Sequence, residues 1–130
     1  MARRILSVIA GIAVGVIIVM VGDAATHFLF PPPPDLNIEN KEQMIVFVKS
    51  IPNSVFLIMF SFWILSSFTG GFVAGKINKA GWKRSSIVTG TILMAAAIIN
   101  IVLLPHPVWM IIGVIILYIP AAWLGGKLAS

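Results

Sequence analysis

Four long apolar runs, separated by short links that hold most of the charge and proline, leave this chain few ways to fold. They extend approximately from Ile5 to Phe30, Ser54 to Lys76, Ser85 to Leu104 and Val108 to Lys127. Each holds roughly 20 residues or more, enough for a helix to cross a hydrocarbon core of about 30 Å. With 59% of its 130 residues apolar and only 10% charged, the chain has more hydrocarbon than a soluble core of this size can hide. The expected fold is an all-α integral membrane protein, one transmembrane domain spanning residues 1–130, with no separate soluble domain.

The net charge of +5 matters less than its placement. Arg3 and Arg4 precede the first span, Lys76, Lys79, Lys83 and Arg84 bracket the second link, and Lys127 ends the fourth span. The positive-inside rule makes these ends cytoplasmic. Lys41 and Lys49 share the first link with Asp35, Glu39 and Glu42, so that segment is nearly neutral and reads as external. The expected location is the cytoplasmic (inner) membrane of a prokaryote, multi-pass, with both termini cytoplasmic. Orientation and anionic lipid account for the basic residues, so no nucleic-acid partner is expected.

The chain has no cysteine, which removes disulfides and thiolate metal or redox chemistry. Arg3-Arg4, the apolar run and Gly22-Asp23-Ala24 imitate a signal peptide with a cleavage site after Ala24. The run is longer than the roughly 7 to 15 apolar residues of such peptides, so it is read as a retained span.

Proline and glycine punctuate the rest. Pro31 to Pro34 stop the first span, because proline lacks the amide hydrogen a helix needs. As polyproline II they form a stiff spacer of about 12 Å. From Asn40 to Ser50, Met44, Ile45, Phe47, Val48 and Ile51 share one face of a short helix, and Asn40 with Gln43 fits a capping box. This segment is expected to lie in the outer interface, apolar side down; the alternative is a first turn of the second span bent at Pro52. Asn78 to Lys83 is a tight link with Gly81 supplying the turn, and Pro105-His106-Pro107 joins spans three and four with almost no slack. Short links force antiparallel neighbours.

A sequence repeat overlies these hairpins. Gly70-Gly71-Phe72-Val73-Ala74-Gly75-Lys76-Ile77 returns as Ala121-Ala122-Trp123-Leu124-Gly125-Gly126-Lys127-Leu128, and Arg4, Ser7 and Gly11 align more weakly with Lys83, Ser86 and Gly90. The expected layout is two hairpin repeats, about 4–77 and 83–128, related by an axis along the membrane normal.

Close helix contact in lipid depends on small side chains and on polar groups that find partners. Ser7, Gly11 and Gly15; Ser67, Gly71 and Gly75; Ser86 and Gly90; and Ala121, Gly125 and Ala129 are spaced by four, so each set shares a helix face. All fall in the cytoplasmic half, whereas Phe28, Phe30, Phe56, Phe60, Phe62 and Trp109 make the outer half bulky. A bundle tight inside and wider outside is expected. Pro120, inside the fourth span, frees the carbonyl of Ile116 and is expected to kink the helix structurally.

Asp23 is the only acid within a span, and His27 follows one turn later on the same face. Asn100 is at comparable depth and His106 sits in the external turn, so a wider outer half would gather Asp23, His27, Asn100 and His106 around one vestibule. Such a group could bind a proton or cation, since histidine changes charge near neutrality. It could also hold a metal, supply an axial histidine to a macrocycle, or simply pair at a wet helix end. No resident cofactor or metal is assigned, because one pair spaced by four is a weak signal.

Phosphate loops, nucleophile elbows and zinc-protease motifs are missing, and no enzyme is expected. Two functions remain. One is a non-enzymatic helix-packing or membrane-organising subunit that forms a homo-oligomer or joins other membrane subunits; the other is a small ion or solute transporter or channel entered through the Asp23 vestibule.

Overall fold

The computed structural model describes residues 2–31, 34, 39–103 and 106–130. Its helices are α1 (Ala2–Leu29), α2 (Lys41–Ser50), α3 (Asn53–Ile77), α4 (Trp82–Leu103) and α5 (Val108–Ala129), with a 3-10 turn at Lys79–Gly81. Four helical stretches, α1, α3, α4 with its preceding turn, and α5, are long and apolar enough to cross a membrane. The chain is therefore compatible with a small multi-pass membrane protein.

Local chemistry sets the boundaries. The amide of Phe30 donates to Thr26 O at 2.8 Å, and Pro31 follows without an amide hydrogen to continue the ladder. The polyproline spacer falls largely outside the described residues. Asn40 Oδ1 accepts from the amides of Glu42 and Gln43 at 3.1 and 3.3 Å, which starts α2. Ile51 is extended and Pro52 caps α3, so the segment is a separate helix and not a bent first turn of the span. Pro107 likewise precedes α5.

The link between α3 and α4 differs in mechanism from expectation. No described residue has a positive φ, so Gly81 supplies no left-handed turn. It instead makes room, since a Cβ there would stand 3.0 Å from Asn78 Nδ2.

Helix α3 is the hub. It packs on α1, α5 and α4; α5 also packs on α4, and α1 on α4 more sparsely. Rotation of one hairpin onto the other about a membrane-normal axis would make α3 against α4 equivalent to α5 against α1. The first pair packs, but the second makes no comparable contact. The repeat written in the sequence is thus not expressed as two-fold packing.

Two kinds of interior follow. Towards the end carrying the termini, called here the basic end, the buried residues are mainly Ser7, Gly11, Ser67, Gly71, Ala74, Ser85, Ser86, Thr89 and Ala122. Towards the opposite, histidine end they are larger: Val48, Phe56, Trp63, Met110 and Val114. Apolar side chains such as Ile9, Ile17, Ile99 and Ile115 are exposed around the outside, as a lipid-facing surface requires.

Candidate functional site

The basic half is closed by backbone meeting backbone. Ser67, Gly71 and Gly75 of α3 face α5, where a Cβ on Gly71 would overlap the Ala122 carbonyl and one on Gly75 would stand 2.8 Å from Gly126 Cα. Ser67 Oγ donates to the Tyr118 carbonyl at 2.6 Å across this buried contact. Gly125 lies against the backbone of Phe68, while Ser86 and Gly90 of α4 lie beside Gly126 and Ala122.

The register of α5 departs from the expected face. Ala122, not Ala121, is fully buried, and it serves Gly71 and Gly90 together. Ala121 is only half-buried and Ala129 stands at the helix end. A helix wedged against two neighbours turns the ridge Tyr118–Ala122–Gly126 into the groove between them, leaving Gly125 beside it.

The expected single ridge on α3 and α4 is also incomplete, because each of these helices has a second neighbour. Ser66, Gly70 and Ala74 of α3 face α1: a Cβ on Gly11 would stand 2.6 Å from Gly70 O, and one on Gly15 3.3 Å from Ser66 O. Ser85, Thr89 and Leu93 of α4 face α1 from the other side. Adjacent small pairs repeated by four, Ser66-Ser67, Gly70-Gly71 and Ala74-Gly75, were the signal for two faces. At the basic end Asn78 Nδ2 donates to Ser85 Oγ at 3.0 Å, and Ser85 and Ser7 share a hydrogen bond at 3.1 Å.

The histidine half is held apart by side chains. Gly22 meets the Phe62 side chain, and Gly113 meets the ring of Phe60. Between the helices lies a cavity of about 200 Å³ whose walls include Asp23, His27, Asn100 and His106. All four expected polar residues therefore border one space. Asp23, His27 and Asn100 are exposed and His106 is half-buried, so the space is an open vestibule.

Helix α2 helps build this vestibule. Met44, Phe47, Val48 and Ile51, from its expected apolar face, line the cavity. Phe47 stacks on Phe30 with ring centroids 5.7 Å apart, tying α2 to the end of α1. His106 lies between aromatic walls, 5.7 Å from Phe56 and 5.9 Å from Trp63 by ring centroids.

Trp63 is the site residue that sequence reasoning missed. It is 4% exposed, and its Nε1 is the one buried side-chain polar atom among the described residues without a hydrogen-bond partner. With Asn100 it borders both the vestibule and a second cavity of about 170 Å³ deeper between α1 and α4, which also reaches Ser66 and Tyr118. A buried indole N–H without an acceptor carries a penalty of about 1–3 kcal/mol.

The vestibule contains one carboxylate and neither lysine nor arginine. Among the described residues no three His, Cys, Asp or Glu side chains are grouped to hold a metal ion. Drug-sized ligands occupy roughly 300–1,000 Å³, so this space suits something smaller than a macrocycle. No protein-family model, curated protein or solved structure matches the chain.

Proposed function

We propose that this chain is a small non-enzymatic membrane protein that binds a small organic cation in the vestibule of its histidine half, as the outward-facing site of a transporter. In this orientation the basic end faces the cytoplasm, the vestibule opens outside, and α2 lies in the outer interface.

The observation that carries the proposal is the convergence of Asp23, His27, Asn100 and His106 on one space that Trp63 also lines. An exposed carboxylate at this depth is expensive against lipid, so Asp23 calls for water or a positive partner. Phe47, Phe56 and Trp63 line the space with aromatic rings that can meet an ammonium group, and the exposed Asn100 can donate to an acceptor on the same solute. The organising-subunit reading loses its principal support, because the glycine faces are occupied by helices of the same chain.

The test is a fluorescence titration of the purified protein in nanodiscs with tetramethylammonium and with butylamine. Saturable quenching is expected for at least one probe, weakened about tenfold or more by Asp23→Asn and unaltered by Lys83→Gln. Absence of saturable binding to either, or binding indifferent to Asp23→Asn, contradicts the proposal.

A further inference from the structure

At the basic end, a groove of about 280 Å³ runs between α1 and α4 beside the Ser7 and Ser85 hydrogen bond, bounded by Arg4, Ile5, Val8 and Ile9 from α1 and Arg84, Ser85 and Val88 from α4. Its two guanidinium groups come from different helices, and its walls are otherwise mostly aliphatic. Ile5, Ile9 and Val88 are exposed, so the groove opens to the surface that faces lipid.

Among the described residues no acidic side chain belongs to this end of α1 or α4. The chain's acids are Asp23, in the opposite half of α1, and Asp35, Glu39 and Glu42, in the link beyond its far end. The first turns of α1 and α4 contain no acidic residue, although both helix N-termini point their amide groups to this end. Lys76 and Lys127 are differently placed, over the rings of Phe72 at 5.7 Å and Trp123 at 5.0 Å. Two arginines at the mouth of an aliphatic groove match one amphiphile, with a phosphate at the top and hydrocarbon beneath. Guanidinium pairs with phosphate in a forked geometry that a scattered lysine surface does not offer.

We infer that the groove between α1 and α4 is a binding site for one anionic phospholipid, its phosphate held by Arg4 and Arg84 and its acyl chain lying along Ile5, Val8, Ile9 and Val88. The seam between α1 and α4 is the sparsest of the main helix contacts. A lipid seated there would complete it.

Native mass spectrometry of the full chain tests this, after exchange into detergent with equal amounts of phosphatidylglycerol and phosphatidylcholine of the same chain length. Phosphatidylglycerol should be retained in preference, as a single adduct. Each basic residue near an anionic surface contributes about fivefold, so Arg4→Gln with Arg84→Gln should lower retention about 30-fold, while the Arg4→Lys, Arg84→Lys pair should lose less. Both arginines are exposed, so the substitutions leave the packed interior intact. Lys79→Gln with Lys83→Gln should change retention little. Equal retention of the two lipids, an equal loss in the Lys79 and Lys83 variant, or displacement of the adduct by inorganic phosphate overturns the inference.

Discussion

The two halves of the bundle use glycine in opposite ways. At Gly71 and Gly125 the opposing atoms are main chain, whereas at Gly113 they are the far edge of the Phe60 ring. Backbone within a packed helix cannot step aside, but a ring can rotate or slide. The basic half is therefore rigid through its backbone, and the histidine half keeps enough freedom for a cavity.

Substitutions can break this comparison. The largest effect is expected from Gly71→Leu or Gly125→Leu, each of which should abolish the folded protein in detergent, as read by size-exclusion profile and circular dichroism. With a single methyl the halves should separate: Gly71→Ala should destabilise by about 1–3 kcal/mol, and Gly113→Ala by less than about 1 kcal/mol as the far edge of the Phe60 ring shifts. Unfolding in mixed micelles measures both, and equal losses would erase the distinction. Ser67→Ala should cost less still, about 0.6 kcal/mol, the average for an interhelical hydrogen bond in a membrane protein. The smallest effect is expected at the far end, where Asp23→Asn should leave stability within about 0.5 kcal/mol, because an exposed group is removed without opening the interior.

Much of this division was legible in the sequence, because it follows from depth. The charged and proline links fix where each helix stops, so the spans found at Asn53–Ile77 and Val108–Ala129 differ from expectation by only a residue or two at each end. The α2 helix could be read from its apolar face and Asn40. Depth alone also placed Asp23, His27, Asn100 and His106 at one end, where the fold gives them a common cavity.

Rotation about each helix axis was less legible. A single row of small residues allows several azimuths, and the choice of Ala122 over Ala121 depends on both α3 and α4 pressing on α5. Trp63 was hidden for another reason. In an apolar run it reads as ordinary hydrocarbon, and only the packed structure reveals a buried N–H lacking an acceptor. The repeated segments have no counterpart in two-fold packing, since similar segments can serve one local purpose, close approach near a lysine anchor, without symmetric packing.

The central proposal is that the histidine half holds a water-accessible cation site while the contact of α3 with α5 in the basic half is shut. The absence of cysteine makes it directly measurable by labelling single-cysteine variants in proteoliposomes with a membrane-impermeant quaternary-ammonium thiol reagent. Met59 lines the vestibule, and Ala74 is fully buried in the basic half. The account predicts that Met59→Cys reacts at least about a hundredfold faster than Ala74→Cys, from the side opposite the termini, and that adding Asp23→Asn slows it. Labelling of Met59→Cys no faster than Ala74→Cys would contradict it.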